Sequence, residues 1–332
     1  MKTAENSVES HGSDSLDPDV EAEALHSISV PVTNHPQHID VCVCTYKRAT
    51  LLKRLLNELI KQETSGLFTY SIVVVDNDQS ESARALIAEF ASASPVPVRY
   101  FVEPRQNIAL ARNKAVENAE GDFVAFIDDD EFPAENWLLT LYQTRRDYNV
   151  DGVLGPVKRH FDDEPPKWIL KSRFYDRRVN RTGTPVNWHE ARTGNVLMKR
   201  AVCASGEMPF RREFRAGEDQ DFFRRKIEMG YAFIWSADAV VYEVVPPLRW
   251  KRTYMMRKAL LRGATASLQP DCGPLNIAKS VVAVIVYSAA LPIAFFFGQH
   301  VFMTLLVSLC DHLGKLFALV GINPVKEEYV SG

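Results

Sequence analysis

One stretch restricts the possible folds of this chain more than any other. It runs Phe123-Val-Ala-Phe-Ile127 and then stops on three carboxylates, Asp128, Asp129 and Asp130. A short apolar run of this kind predicts a strand buried on both faces, as in the middle of a parallel sheet. Ligands bind beyond the carboxyl ends of such strands, and hard cations prefer carboxylate oxygens. The stretch therefore predicts a metal–diphosphate site or, taken alone, a solvated acidic turn.

Strands and helices alternate along the first 150 residues. Apolar strands are predicted over residues 39–44, 70–75 and 98–102, and helices over residues 51–60, 80–90 and 107–120. This alternation predicts a parallel sheet with right-handed crossovers. The polar clusters Thr45-Tyr46 and Asp76-Asn77-Asp78 follow two of the strands, so they would meet the three aspartates at one sheet edge. A nucleotide is the natural ligand there, although the sequence contains no dinucleotide or P-loop signature.

The second half of the chain is less regular. Residues 151–181 are rich in basic side chains and are interpreted as a substrate-facing insertion. Thr193-Gly194-Asn195 precedes a short strand, and a helix is predicted to begin near Gly217. Its first turn carries Glu218 and Asp219, which the helix dipole alone would explain. Two short strands follow over residues 231–235 and 239–242, then a basic helix over residues 249–262.

Composition limits the partners and the location of the chain. The net charge of −3 gives no indication of nucleic acid as a partner. Residues 1–37 are polar and acidic and are predicted to form a disordered tail. Residues 277–298 are nearly all apolar, as a membrane helix requires, and residues 301–320 read as a weaker span or an interfacial helix. A pair of buried helices is the alternative. The basic helix before them favours a cytoplasmic catalytic domain.

Together these motifs resemble family 2 of the inverting nucleotide-sugar glycosyltransferases, which have the GT-A fold. The resemblance covers roughly residues 39–263, and within the family it is to transferases of bacterial exopolysaccharide assembly, of the succinoglycan type. The motifs that carry it are Val43-Cys-Thr-Tyr-Lys-Arg48, Val73-Val-Val-Asp-Asn77, the stretch 107–113 ending Ala-Arg-Asn, Asp128-Asp-Asp130, Thr193-Gly-Asn195 and Gly217-Glu-Asp-Gln-Asp-Phe222.

The resemblance implies an α/β fold of the GT-A class: a Rossmann-like, mostly parallel sheet flanked by helices, with a C-terminal hydrophobic helical membrane segment. The implied domains are a transferase domain over residues 38–265 and a membrane-associated segment over residues 271–322. Within the first, residues 38–150 would bind the nucleotide-sugar and residues 151–265 the acceptor. The enzyme would sit at the cell inner membrane with its catalytic domain on the cytoplasmic face.

The resemblance also implies roles for individual side chains. Asp219 would be the catalytic base, with Glu218 beside it orienting the acceptor or a loop. Asp130 would bind Mg²⁺ or Mn²⁺, and Glu243, where many relatives have a histidine, is a candidate second ligand. The expected contacts of the UDP-sugar donor are Thr45, Tyr46 and Asp76 at the uracil and ribose, Asp128 at the ribose, Asp129 in the same donor site, and Arg112 near the diphosphate.

The predicted reaction is transfer of a sugar from a UDP-sugar to a lipid-linked or saccharide acceptor in bacterial polysaccharide biosynthesis. A single displacement, assisted by a base and a divalent cation, would invert the anomeric carbon. One alternative is a metal-dependent sugar-phosphate nucleotidyltransferase, but Cys44-Thr-Tyr-Lys-Arg48 lacks the glycines such enzymes usually carry after the first strand. Another is an inactive membrane-bound assembly partner, against which the intact Asp130 and Asp219 argue.

Overall fold

The computed structural model describes residues 36–205, 208–214, 217–269 and 272–322, together with residue 325. The predicted disordered tail lies outside the described residues except for its last two positions, and Gln37 is already the first residue of a strand. From Gln37 onward the chain forms one compact unit. Its strands are β1 (Gln37–Thr45), β2 (Phe68–Asp76), β3 (Val98–Val102), β4 (Phe123–Ile127), β5 (Glu131–Pro133), β6 (Gly152–Leu154), β7 (Val157–His160), β8 (Asn195–Lys199), β9 (Phe233–Trp235) and β10 (Val241–Val244).

The α-helices of the described residues lie between and after these strands. They are α1 (Ala49–Leu59), α2 (Arg84–Ala93), α3 (Ile108–Glu117), α4 (Trp137–Asp147), α5 (Lys167–Ser172), α6 (Arg200–Ala204), α7 (Glu218–Glu228), α8 (Arg252–Ala266), α9 (Pro274–Ala294) and α10 (Gln299–Leu319). Short 3₁₀ helices cover Pro247–Trp250 and Phe295–Phe297.

The central sheet has seven strands in the order β3-β2-β1-β4-β8-β6-β9. β3, β2, β1 and β4 are parallel to one another, whereas β8 runs antiparallel to both β4 and β6. The mostly parallel sheet predicted from the alternating pattern is therefore confirmed. The antiparallel β8, which carries the Asn195 end of the Thr-Gly-Asn motif, lies directly beside the strand that delivers the three aspartates.

Alternating side chains on the strands fill one core on each face of the sheet. On one face Val41 and Val43 of β1 pack with the leucines of α1, which are fully buried at the predicted helical spacing. On the other face Val73 and Val75 of β2 pack against small side chains of α3, Ala111 and Ala115. Because alanine is small, α3 comes close to the sheet, and its neighbour Arg112 is brought over the strand ends.

A second, three-stranded sheet has the order β5-β10-β7, which the sequence did not predict. β5 begins directly after Asp130 and pairs antiparallel with β10, so that Glu131 lies opposite Glu243. The predicted strands over residues 231–235 and 239–242 are observed as β9 and β10, each starting two residues later, and they belong to different sheets. The small sheet thereby brings Glu243 to the acidic stretch that follows β4.

The C-terminal helices complete the compact unit. α10 packs against α8 and α5 around a third apolar cluster, which contains Ile169, Met255, Ala259, Met303, Val307 and Cys310. Gly298, with a φ of +101°, separates α10 from the preceding 3₁₀ turn. Residues Pro274–Phe297 and Gln299–Leu319 are long and apolar enough to cross a membrane, judged by length and composition.

Candidate active site

The strand ends meet as the sequence predicted. Thr45 and Asp76 are paired in the register of β1 and β2, and β1 pairs with β4 on its other side. The Thr45 hydroxyl donates a 2.8 Å hydrogen bond to Asp129, which ties the end of β1 to the acidic stretch. Lys47 then adopts a left-handed φ of +55°, and its ammonium lies 5.1 Å from the centre of the Tyr46 ring. The sharp turn at Lys47 directs Arg48 back toward the aspartates.

The three aspartates occupy different environments. The Asp128 side chain is 46% exposed, whereas Asp129 and Asp130 are buried. Asp129 accepts from Thr45 and, at 2.9 Å, from Arg48 Nη1. Burial raises the pKa of Asp129 to about 6, with Arg48 opposing the shift and Asp130 adding to it. Asp128 is therefore the member of the triplet that a bound molecule reaches most directly.

Asp130 and Glu243, the two predicted metal ligands, share one guanidinium. Arg249 Nη2 donates to Asp130 Oδ2, and Arg249 Nη1 donates to Glu243 Oε1 at 2.7 Å. Arg177 binds the other Glu243 oxygen at 2.7 Å, and Arg48 lies 3.3 Å from Asp130. The predicted ligands are thus brought together on either side of the Arg249 side chain. None of these three arginines was singled out from the sequence.

A second group forms where α3 meets the start of α7. Arg112 is buried and its guanidinium bridges Glu218 and, at 3.4 Å, Asp128. Burial raises the pKa of Glu218, and Arg112 opposes that shift. Asp219 is also buried, and its Oδ1 accepts from the backbone N–H of Gln220 at 2.8 Å. Glu218, the neighbour of the predicted base Asp219, is therefore linked through Arg112 to the predicted donor contact Asp128.

Gly217 sets the direction in which these acidic residues are presented. It has a φ of +79°, a left-handed conformation that glycine adopts without a Cβ penalty, and α7 begins at the next residue. Asp221, one turn further into α7, is fully buried and accepts from Arg224 at 2.9 Å and Arg225 at 2.8 Å. Asp221 therefore braces the helix, while Glu218 faces Arg112 at the site.

Asp76 lies at the same sheet edge but its carboxylate is directed into the protein. It is fully buried and accepts from the Ala83 N–H at 2.7 Å, from the Tyr100 hydroxyl at 2.9 Å and from the Asp78 N–H at 3.2 Å. These bonds fix the loop that connects β2 to α2. In this structure Asp76 shapes the backbone beside the site.

Glu131 is a further acidic residue that sequence reasoning did not assign. It is buried, and its Oε2 accepts from the Asp128 N–H at 3.2 Å. Burial raises the pKa of Glu131 well above its usual value, and the carboxylates of Asp128, Glu243 and Asp130 add to the shift. A Cβ built on Gly194 would lie 2.7 Å from Glu131 Oε1 and 3.0 Å from Asp128 Oδ2. The glycine of the Thr-Gly-Asn motif therefore makes room for both carboxyl groups.

Asn195, the last residue of that motif, connects several elements. Its Oδ1 accepts from Trp137 Nε1 at 2.8 Å, and its Nδ2 donates to the carbonyl oxygens of Pro156 and Ala239 at 3.1 and 2.7 Å. These bonds join β8 to α4 and to the segments before β7 and β10. Asn195 thus holds the two sheets together directly behind the carboxyl cluster.

The donor chemistry of the site fits a hard divalent cation that also binds phosphate. Among the described residues of the site, carboxyl groups outnumber guanidiniums seven to four. They are Asp128, Asp129, Asp130, Glu131, Glu218, Asp219 and Glu243 against Arg48, Arg112, Arg177 and Arg249. Within the described residues, no three or more His, Cys, Asp or Glu side chains are arranged to hold a metal by themselves. Mg²⁺ is commonly held by one or two carboxylates together with substrate phosphates.

Comparison with known proteins agrees with this fold. Residues 40–207, about half of the chain, match the family described as Glycosyl transferase family 2. The succinoglycan biosynthesis protein ExoM of Rhizobium meliloti is 34% identical over 239 residues, which are 70% of this chain and 75% of that protein. Glycosyltransferase AglE of Haloferax volcanii is 23% identical over 202 residues, 61% of this chain and 65% of AglE.

Among solved structures, the mannosyltransferase PcManGT of Pyrobaculum calidifontis, in complex with GDP-Man and Mn²⁺, superposes with a TM-score of 0.59. The alignment has 19% sequence identity and covers 86% of this chain and 88% of that one, so the likeness concerns the fold. The predicted GT-A fold class is confirmed. The family match also removes the nucleotidyltransferase alternative. The match over residues 40–207 and the 34% identity to ExoM show that the chain belongs to glycosyl transferase family 2.

Proposed function

We propose that this glycosyltransferase moves a sugar from a UDP-sugar to a lipid-linked or saccharide acceptor, with inversion at the anomeric carbon, in the assembly of a bacterial exopolysaccharide. The observation that carries the proposal is the convergence of three groups at one sheet edge: the exposed Asp128, the pair Asp130 and Glu243, and the acidic start of α7. The name of ExoM, a succinoglycan biosynthesis protein, supports the exopolysaccharide role.

The donor would bind across the ends of β1, β2 and β4. Thr45 and Tyr46 follow β1, and Asp76 ends β2 and fixes the loop beside the proposed uracil position. Asp128 is exposed enough to accept from the ribose hydroxyls, while Asp129, bound to Thr45 and Arg48, would keep the donor site in shape. Arg112, held between Glu218 and Asp128, would face the diphosphate.

Asp130 and Glu243 would hold Mg²⁺ or Mn²⁺ together with the diphosphate oxygens. The cation supplies neutralisation of the charge that develops on the leaving diphosphate. The excess of carboxyl groups in the site would otherwise repel a diphosphate, so donor binding should require a cation. The complex of PcManGT with GDP-Man and Mn²⁺ supports this expectation.

Asp219 would act as the base. The acceptor hydroxyl oxygen forms a bond to the anomeric carbon while its proton passes to the Asp219 carboxylate. The bond from that carbon to the diphosphate breaks, and its electron pair leaves on UDP. A positioned base of this kind typically contributes about 10²–10⁴ in rate. Glu218, neutralised by Arg112, would orient Asp219 and the acceptor.

Two apolar C-terminal helices support attachment to a membrane, which we propose to be the inner membrane with the active site on the cytoplasmic face. Basic residues of α8 precede both helices, as the positive-inside rule expects for cytoplasmic segments. This location would bring the enzyme to lipid-linked acceptors.

The test is a transfer assay with membranes that contain the full-length protein, several radiolabelled UDP-sugars, GDP-mannose and a lipid extract of the source organism. We expect one UDP-sugar to label the lipid fraction, and EDTA to abolish the labelling. Asp130→Asn should remove the Mn²⁺-dependent part of UDP binding, whereas the exposed Asp147→Asn should leave it unchanged. Labelling from GDP-mannose alone would refute the UDP assignment. Full transfer in EDTA would refute the metal requirement.

A further inference from the structure

The surface of α9 has the reverse of the pattern expected for a helix of a water-soluble protein. One continuous half of the helix is exposed, and Lys279 is its one charged side chain. The exposed positions are Pro274, Leu275, Ala278, Lys279, Val281, Val282, Ile285, Val286, Ser288, Ala289, Pro292 and Ile293. The apolar surface continues through Phe295, Phe296 and Phe297, all strongly exposed. A contiguous apolar surface of this extent marks an interaction site.

Two polar side chains of α9, Ser280 and Tyr287, face α10 instead. Ser280 is buried and its hydroxyl lies 3.1 Å from His312 Nδ1 of α10. The Tyr287 ring stacks on the same histidine, with ring centres 5.8 Å apart. Asp311, the neighbour of His312, pairs with Arg262 of α8. These polar groups of α9 and α10 are therefore used inside the protein, whereas the outward half of α9 is apolar apart from Lys279 and Ser288.

α10 is held against α8 along its length, and the two helices run in the same direction. At the first residue of each helix, the Gln299 side-chain amide is oriented with its oxygen toward Arg252 and Trp168. That oxygen accepts from Arg252 and from Trp168 Nε1, each at 3.1 Å. Further on, a Cβ at Gly263 would lie 1.9 Å from the Asp311 carbonyl oxygen. A Cβ at Gly314 would lie 2.1 Å from the Leu260 carbonyl oxygen. The two backbones are in direct contact at these glycines.

This packing prevents α10 from crossing a bilayer by itself. α8 carries four exposed basic side chains, Arg252, Arg257, Lys258 and Arg262, and it begins three residues after Arg249. Arg249 binds Asp130 in the candidate active site. If α10 entered the hydrocarbon core, it would therefore draw the charges of α8 with it, and charged side chains are expensive there.

The same contacts fix both ends of α9. Its C-terminal end leads through the three phenylalanines and Gly298 to Gln299, which lies at the start of α8. Its N-terminal end follows the end of α8 after residues 267–273. Both ends of α9 thus lie next to α8, on the same side of the bilayer as the catalytic part of the chain. A spanning helix would place its two ends on opposite sides of the bilayer.

We infer that the chain is a monotopic membrane protein, in which α9 lies in the plane of one leaflet of an anionic phospholipid bilayer and neither α9 nor α10 crosses it. This inference rests on the proposed membrane attachment and replaces the predicted spanning helix with an interfacial one. The charge of the C-terminal part of the chain favours an anionic bilayer. Between residues 248 and 322 the acidic residues are Asp271 and Asp311, whereas the exposed basic residues are Lys251, Arg252, Arg257, Lys258, Arg262 and Lys279. Basic side chains beside an apolar helix favour anionic headgroups.

A consequence concerns the acceptor. α8 contacts α10 on one side and follows Arg249 of the candidate active site, so the proposed bilayer surface lies close to the site. A sugar chain carried on a lipid in that leaflet would reach the site without leaving the headgroup region.

The test places one new cysteine beyond each end of α9 in the full-length chain, at Gly273 before the helix and at His300 after it, both partly exposed and both outside the apolar surface that the leaflet would cover. Membranes from a Gram-negative expression host are treated with a membrane-impermeant maleimide, from the periplasmic side in spheroplasts and from the cytoplasmic side in inverted vesicles. Labelling is compared with that of the parent chain and its five native cysteines. We expect both Gly273→Cys and His300→Cys to be labelled from the cytoplasmic side. Labelling of the two positions from opposite sides would overturn the inference.

A matched pair of variants tests the surface itself. Ile285, 64% exposed, lies in the middle of the apolar half of α9, and Val179, 49% exposed, lies outside the C-terminal helices. Ile285→Glu should reduce sedimentation with phosphatidylglycerol-containing vesicles at least tenfold and leave the melting temperature unchanged. Val179→Glu should change neither. Equal binding of Ile285→Glu and the parent chain would contradict the inference. If the parent chain binds no vesicles at all, the inference and the proposed attachment both fail, whereas transfer to a soluble acceptor would still test the proposed reaction.

Discussion

At the scale of single residues, the three carboxylates at the start of α7 have three different environments. Glu218 pairs with Arg112, Asp221 is bonded to Arg224 and Arg225, and Asp219 accepts from the Gln220 backbone N–H. An acidic first turn would satisfy the helix dipole in any protein. The separation of these partners is what distinguishes a side chain available for catalysis from one that braces the helix.

We expect Asp219→Asn to keep the shape of the site and remove its base. UDP affinity and melting temperature should stay close to those of the parent chain, while the transfer rate should fall by about 10²–10⁴, the contribution of a positioned base. The matched control is Asp221→Asn. That change leaves the partly buried Arg224 and Arg225 less well paired, so it should lower the melting temperature before it affects the rate.

The measurements are UDP affinity by calorimetry, transfer rate, and thermal unfolding, made on both variants. A rate near that of the parent chain for Asp219→Asn, together with a folded but inactive Asp221→Asn, would move the role of base to Asp221. A loss of UDP binding in Asp219→Asn would instead place Asp219 in the donor site.

The sequence predicted six of the seven carboxyl groups of the site but only one of its four guanidiniums, Arg112, for a physical reason. Asp128, Asp129 and Asp130 follow a strongly apolar strand, and parallel strands bring such ends to one edge. Arg48, Arg177 and Arg249 reach their carboxylate partners across 81, 66 and 119 residues. No local spacing marks contacts at such separations, and many other arginines of the chain have the same appearance in the sequence.

At the scale of the elements, the close approach of β8 to β4 requires a glycine before Asn195. Gly194→Ala would place a Cβ 2.7 Å from Glu131 Oε1 and 3.0 Å from Asp128 Oδ2. Both carboxyl groups would have to shift, and added volume in a packed interior typically costs about 1–3 kcal/mol. We therefore expect Gly194→Ala to lower both the melting temperature and the affinity for UDP with Mn²⁺.

Gly273→Ala provides the control, because a Cβ there meets no atom within 4 Å in the described residues and its φ of −84° is ordinary. This substitution should leave both quantities unchanged. If Gly194→Ala bound UDP like the parent chain, the position of Asp128 would not matter for the donor.

Asp40, in the middle of β1, predicts a pH dependence that is independent of the site. Its buried carboxylate accepts from Ser71 at 2.5 Å, from Arg99 at 2.7 Å, and from the N–H groups of Glu120 and Gly121 at 2.6 and 2.7 Å. Burial alone would raise the pKa of Asp40, but these hydrogen bonds and the Arg99 charge outweigh it and lower the pKa. β1 is thereby joined to β2, β3 and the turn before β4.

Because the pKa of Asp40 is lower in the folded than in the unfolded chain, its stabilisation is fully present above the unfolded-state pKa of about 3.9 and is lost as the pH falls through the folded-state pKa. Asp40→Asn should therefore melt at a lower temperature than the parent chain at pH 7, and the difference should shrink below about pH 4. Thermal unfolding from pH 7 to pH 3 gives the comparison. A difference that stays constant over this range would show that the charge of Asp40 contributes nothing.

The elements themselves were predicted unequally well. Long apolar strands and the leucine-rich α1 follow directly from side-chain periodicity. The sheet formed by β5, β10 and β7 does not, because its strands have three or four residues and join parts of the chain that are far apart. The antiparallel direction of β8 was missed for a related reason, since a short apolar run carries no information about the direction of its neighbours.

At the scale of the whole molecule, the sequence suggested a transferase domain ending at residue 265 and a membrane segment starting at residue 271. The hydropathy of the segment supported this division, but hydropathy does not show what an apolar helix packs against. In the structure α10 covers Met255 and Ala259 of α8 and Ile169 of α5, all of them buried. The segment therefore has two parts, α10, which belongs to the packed unit, and α9, whose apolar half faces outward.

Removal of residues 272–332 should accordingly do more than detach the protein from a membrane. Met255, Ala259 and Ile169 would lose their cover, and each Å² of apolar surface returned to water costs roughly 25 cal/mol. α8 begins three residues after Arg249, which pairs with Asp130, so a loosened α8 should also disturb the candidate active site. We expect the truncated chain to melt at a lower temperature than the full chain and to bind UDP more weakly.

Comparison with Ile285→Glu in the same detergent separates the two parts of the segment, because Ile285 lies on the outward half of α9 and its replacement leaves the packing of α10 intact. That variant should keep the melting temperature and the UDP affinity of the parent chain while losing vesicle binding. The contrary outcome is a truncated chain that is monomeric and has the melting temperature and UDP affinity of the full chain. In that case α10 would serve attachment alone. The glycine contacts between α8 and α10 would then have no part in holding the active site together.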